Sequence, residues 1–199
     1  MEKPGMKKGW TTTKLITAGS IGILIFIFSL PGGVLNVVTG IPGAGGFINI
    51  VAQTSLTSLA ILLLRQIGTA SIVWLVFTII ALPFPLIGPP GLLLKVLIGL
   101  FIGIVSDGAF VLTRKSEKLM ALMIGGFNQV ANFFAFLLMA TSGIKWLGGV
   151  EKMLKSWFVF PKIILLFVPT FIIGMGLGYL GWFIYLKIKD TAVVKRIQQ

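Results

Sequence analysis

The chain has 199 residues, 56% of them hydrophobic and 11% charged, with a mean hydropathy of +1.03, where a soluble domain carries roughly 25% charged residues. That composition excludes an ordinary soluble protein, and the net charge of +12 sits on basic residues flanking apolar runs, as membrane-surface anchors do, and not as a nucleic-acid surface. Cysteine and histidine are absent, which removes disulfides, thiolate chemistry, imidazole bases and the usual zinc or haem ligands; no metal and no cofactor is expected.

The N-terminus, MEKPGMKKGW followed by an apolar run, superficially resembles a secretory signal. The run is long and lacks an A-x-A cleavage site, so it reads as a retained first span over residues 13–30. Further apolar runs follow at 46–64, 69–86, 92–112, 119–141 and 163–186, each close to the roughly 20 residues that cross a hydrocarbon core of about 30 Å. The expected fold is all-α: a polytopic, six-helix transmembrane bundle forming a single domain over residues 1–199. The second and third spans are separated by RQIG and the third and fourth by IGPPG, which predicts tight antiparallel hairpins.

Six spans place both termini on one side. With the termini inside, the cytoplasmic segments hold Lys3, Lys7, Lys8, Lys14, Arg65, Arg114, Lys115, Lys118, Lys187, Lys189, Lys195 and Arg196, against Lys95, Lys145, Lys152, Lys155 and Lys162 outside. The bias predicts cytoplasmic termini in a multi-pass protein of the cell membrane. Between the fifth and sixth spans, Trp146, Leu147, Val150, Met153, Leu154, Trp157 and Phe158 recur at helical spacing. They predict an interfacial helix over 146–158, either a surface anchor or a lid.

Residues 32–49, GGVLNVVTGIPGAGGFIN, interrupt the apolar pattern without a single charge, and read as an outer loop folded over a pocket. Polar groups inside spans are the informative ones, because an unsatisfied polar group in lipid is costly. Asn49 and Gln53 are four apart on the second span, and Asn128 and Asn132 on the fifth, with Gln129 beside them; each pair shares a helix face. Both pairs fall in the outer half at depths where they could face one cavity, closed above by Asn36 and Thr39 and walled by Trp74 or Trp146. Such a set suits a small, neutral, hydrogen-bonding ligand, since amides both donate and accept. The alternative is that the amides bond one another as interhelical glue, at about 1 kcal/mol each.

Asp107 is the acid well inside a span, as a proton or ion relay or in a local ion pair with Arg114, Lys115 or Lys118. Lys95 either snorkels to the outer interface or meets an anionic ligand group. Small residues at Ala18, Gly19 and Gly22, and at Gly174 and Gly178, allow close helix approach, within the chain or to a partner. No P-loop, carboxylate pair or Ser/His/Asp set is present, so the chain is not expected to be an enzyme. Uphill transport would need energy from elsewhere.

The layout of short spans, a glycine-rich first outer loop, and Ala18-x-x-x-Gly22 on the first span resembles the substrate-binding membrane subunit, or S component, of energy-coupling factor vitamin transporters. GIPGAGGFINIVAQTSLTSLAILLLRQIG and GLFIGIVSDGAFVL are similar to spans of its hydroxymethylpyrimidine and thiamine type. The resemblance implies capture of a vitamin-like heterocycle near the outer face. It also implies docking through Ala18 and Gly22 to a transmembrane coupling subunit driven by two ATPase subunits. The alternative role is a non-transporting membrane subunit serving assembly of a larger complex.

Overall fold

The computed structural model describes residues 9–39, 45–84, 90–114, 116–141 and 160–198. Seven helices and no strand occur among them: α1 (Thr12–Thr39), α2 (Gly46–Leu64), α3 (Thr69–Ile80), α4 (Leu94–Leu112), α5 (Glu117–Thr141), α6 (Phe160–Ile188) and α7 (Ala192–Gln198). Five of them, α1, α2, α4, α5 and α6, are long and apolar enough to cross a membrane. The chain is a helical, multi-pass membrane protein.

α2 is the hub. It packs against α1, α3, α5, α6 and α7, and its second half, from Gln53 to Leu64, is buried almost without interruption. A helix buried on every side occupies the interior of a bundle, and here it takes Gln53, Thr54, Ser55, Thr57 and Ser58 in with it. α3 and α4 pair on one side of it, α5 and α6 on the other, and α4 meets α5 to close the arrangement.

Two boundaries differ from the sequence expectation. α1 does not stop near residue 30 but continues through Pro31 to Thr39, since proline is tolerated in membrane helices where neighbours re-satisfy the freed backbone. Much of the expected outer loop is therefore helix. Gly32 and Gly33 are buried, and the start of α2 lies against Gly32: a Cβ there would strike the Asn49 side chain and the Gly45 carbonyl. α3 ends at Ile80, several residues before the expected end of the third span, so its 12 residues cover only about 18 Å. That is too short to cross a bilayer alone. The predicted interfacial helix over 146–158 lies outside the described residues.

Glycine sets the close crossings. A Cβ on Gly22 would lie 2.7 Å from the Val73 carbonyl oxygen, fixing α1 on α3. On α5 and α6, Cβ atoms at Gly125, Gly174 and Gly178 would collide with the opposing backbone, and one at Gly181 would lie 2.5 Å from the Ser55 carbonyl oxygen of α2. Gly22 of the first small-residue stripe, and Gly174 and Gly178 of the second, are thus used inside the chain, whereas Gly19 is open. Within the chain Gly22 lies against Val73 and Val76 of α3, and Ala18 is fully buried.

Candidate functional site: buried polar layers

α3 is closed at both ends by charges from α4. At its start, Asp107 accepts hydrogen bonds from the backbone N–H of Ala70 and of Ser71, each 3.0 Å, and from the Ser71 hydroxyl at 2.7 Å. These are among the donors that a helix N-terminus leaves unpaired, and the carboxylate also meets the positive end of the helix dipole. At the other end, the fully buried Lys95 donates through Nζ to the carbonyls of Ala81 (3.2 Å), Leu82 (3.3 Å) and Phe84 (2.6 Å). An ammonium has three donors, and three carbonyls use them. Lys95 therefore does not snorkel, and Asp107 serves as a helix cap where a relay or a basic ion-pair partner was expected. Gly99 and Gly103 of α4 lie on Thr78 and Ser71 of α3, which lets the two helices run close enough for both caps to form.

On the opposite side of α4, Ser106 opens a second polar set. Asn128 donates to the Ser106 hydroxyl at 2.9 Å, and Thr54 donates to the amide oxygens of Asn128 at 3.1 Å and Gln129 at 3.2 Å. Asn132 donates back to Asn128, to both its backbone and side-chain oxygens at 3.2 Å. Asn128, Thr54 and Ser106 are wholly buried. Of the expected ligand residues, Asn128 and Asn132 are thus joined to each other and tie α2, α4 and α5 together.

The remaining amides behave differently. Asn36 lies on the last turns of α1, where its Oδ1 accepts the Gly45 N–H at 2.7 Å and fastens the start of α2. Thr39, at the end of α1, is exposed and bonds to the Leu35 carbonyl. Asn49 and Gln53 are buried on α2, and the Asn49 amide oxygen has no hydrogen-bond partner among the described residues. Neither do the hydroxyls of Ser29, Ser55, Thr57 and Ser58 or the indole N–H of Trp74. Elsewhere, Thr17, Thr78, Ser106, Thr113 and Thr170 bond back to the carbonyl four residues earlier, the usual way a hydroxyl satisfies itself in a helix.

The unpartnered atoms lie on α1, α2 and α3, three helices in mutual contact. The Gly32–Asn49 contact sets the register of the antiparallel α1–α2 pair, so Ser29, one turn below Gly32, is level with Gln53, one turn past Asn49. The structure therefore separates the amides foreseen from sequence: those on α5 are bonded, whereas on α2 the Asn49 oxygen is left unpartnered among the described residues. Trp74 is fully buried and edge-packed on Phe77 with ring centroids 5.5 Å apart. Trp146 lies outside the described residues. The hydroxyls were missed because serine and threonine are unremarkable singly; their density in QTSLTS, residues 53–58, was the available signal.

One end of the bundle is basic. The N-terminal ends of α1, α3 and α5 and the C-terminal ends of α2, α4 and α6 bring together Lys14, Arg65, Arg114, Lys118, Lys187 and Lys189, with Lys195 and Arg196 on α7. Arg65 caps α2 in a left-handed conformation, φ 48°, and its guanidinium donates to the Glu117 carboxylate and, at 3.1 Å, to the Tyr185 hydroxyl. Burial works against its charge, but Tyr185 and Glu117 outweigh burial and hold its pKa above the ordinary value. Gln198 of α7 donates to the Leu63 carbonyl at 3.3 Å, folding the chain's last helix under α2.

Among the described residues, no group of histidine, cysteine or acidic side chains could hold a metal ion. Comparison with protein-family models, with curated proteins and with solved structures finds no match.

Proposed function

We propose that this chain captures a small, uncharged, hydrogen-bonding molecule within the membrane, in the manner of the substrate-binding subunit of an energy-coupling factor importer. The observation that carries the reading is the unpartnered Asn49 amide oxygen, buried one turn from Gln53, with the unpartnered Ser29 hydroxyl at the level of Gln53. A buried polar atom left without a partner costs about 1–3 kcal/mol, and a ligand that donates and accepts would recover it. In this reading Asn49, Gln53 and Ser29 hold the ligand, while Asn128 and Asn132 keep the bundle together. The basic end faces the cytoplasm, and α3 with the turn after it makes the sixth crossing.

A transmembrane coupling subunit and two ATPase subunits would supply the energy. Because Gly22 lies against α3 and Ala18 is fully buried, the coupling subunit would meet α1 on the neighbouring face of Leu15, Gly19 and Ile23. Leu15 and Ile23 are exposed, and nothing lies within 4 Å of a Cβ placed on Gly19. The same open face, and another at Gly176, favour the second reading, a non-transporting subunit assembled into a larger membrane complex.

Mass spectrometry of the small molecules and proteins retained by the gently purified chain tests the proposal. A heterocyclic ligand that is lost in Asn49→Ala and Gln53→Leu, and kept in a variant altered outside α1–α3, is the expected result. Retention of the same molecule by both α2 variants would overturn the site, and copurification of unrelated membrane subunits without any ligand would favour the assembly role.

A further inference from the structure

Beyond ligand capture, the basic end carries a lateral surface that neither the buried polar layers nor the capped α3 explains. Lys118, in the first turn of α5, is exposed, and its ammonium lies 5.6 Å from the Tyr179 ring centroid and 5.8 Å from that of Trp182. The two rings are themselves 5.3 Å apart and tilted. One turn nearer the end of α6, Lys187 stands 5.5 Å over the Phe183 ring. Tyr179, Phe183 and Lys187 recur every four residues, so they form one stripe along α6.

That stripe faces outward. Tyr179 is 42% and Phe183 48% exposed, and little of α6 is buried inside the bundle, so lipid covers the stripe in a bilayer. Tyrosine and tryptophan at the end of a membrane helix sit at headgroup depth, and a lysine beside them lays its stem on the rings and turns its N–H groups to the headgroup layer. Among the described residues, no acid forms an ion pair with Lys118 or Lys187. Of the described acids, Asp107 is occupied at the start of α3 and Glu117 is paired with Arg65, which leaves Asp190 beyond the end of α6.

We propose that Lys118 and Lys187, with the aromatic row of Tyr179, Trp182 and Phe183 between them, bind the headgroup phosphate of an anionic phospholipid, its acyl chains lying along α6. A second basic protein surface is unsuited to so cationic a face, and a zwitterionic lipid, whose phosphate is offset by its own ammonium, is held more weakly by the two lysines than an anionic one.

The test uses the full chain in phosphatidylcholine vesicles containing a minor fraction of either brominated phosphatidylglycerol or brominated phosphatidylcholine, with tryptophan fluorescence as readout. The anionic quencher is expected to quench more strongly, and the excess is expected to vanish in Trp182→Phe, which identifies the reporting ring. Lys118→Met should lower the apparent affinity for the anionic lipid about fivefold, the worth of one lysine near a charged surface, while Lys118→Arg should keep it. Equal quenching by the two lipids, or an excess untouched by Lys118→Met, overturns the proposal. So does relief of the excess by soluble glycerol 3-phosphate, which would assign the surface to free anions. Should Lys118→Met fail to fold, Lys187→Met reads the same loss from the other end of the row, and an unchanged excess there counts against it equally.

Discussion

Lys95 and Asp107 stand about 18 Å apart along α4, and they close opposite ends of α3, whose 12 residues span the same length. Opposite charges meet opposite ends of one helix dipole: carboxylate at the N-terminus, ammonium at the C-terminus. The pairing explains how two charged side chains come to be buried in a membrane bundle, where an unpaired charge would be expelled.

Asp107 is predicted to act through its acceptors as much as its charge. Asp107→Asn keeps one acceptor oxygen and should cost about 1 kcal/mol, whereas Asp107→Leu strands the Ala70 and Ser71 N–H groups and should cost about 2–4 kcal/mol. Thermal unfolding in detergent gives the order, and hydrogen exchange at the first amides of α3 should rise in both variants. Equal stability of the leucine variant and the parent would remove the cap from the account.

At the other end, Lys95→Met keeps the bulk of the stem but removes three donors. The carbonyls of Ala81, Leu82 and Phe84 should then fray, with faster exchange confined to the end of α3 and a loss of about 2–3 kcal/mol. Exchange that rises uniformly over all helices would point to global unfolding instead of a lost cap.

Gly178 and Gly176 are two residues apart on α6 and should respond oppositely to the same change. A side chain on Gly178 meets the Ala121 backbone, whereas one on Gly176 meets nothing within 4 Å. Gly178→Leu should abolish the folded monomer as seen by size-exclusion chromatography, and Gly176→Leu should leave its elution and melting temperature unchanged.

The two amide sets should also separate. Asn128→Leu removes the partner of Thr54 and Ser106 and should destabilise by about 1–3 kcal/mol. Asn49→Ala deletes an oxygen without a partner among the described residues and should change unfolding by less than about 1 kcal/mol, while abolishing the ligand capture proposed above. Comparable destabilisation by both would return Asn49 to a structural role.

Much of this arrangement was legible before any coordinate. The bounds of α2 and the RQIG connection coincide with the sequence reading, because charge, glycine and the end of the apolar run all fall together there. The burial of Asn49, Gln53 and Asn128 followed from their depth in apolar spans. The end of α1 was not legible: Pro31, Gly32 and Gly33 signal a break in water, but in the bundle the glycines admit α2 and the helix runs on. The bonding of Asn132 to Asn128 was one of the two readings the sequence left open, but the part of Thr54 and Ser106 was not legible, since they acquire importance only from the register of three helices. Lys95 and Asp107 looked like separate puzzles because neither is near the other in space; α3 connects them.

The two caps also have a mechanical consequence. A helix held at one end can pivot or slide along its neighbour, but a helix pinned at both ends to a single neighbour can do neither. α4 therefore acts as a splint for α3, and any displacement of α3 against α1 at the Gly22–Val73 contact carries α4 with it as a two-helix block.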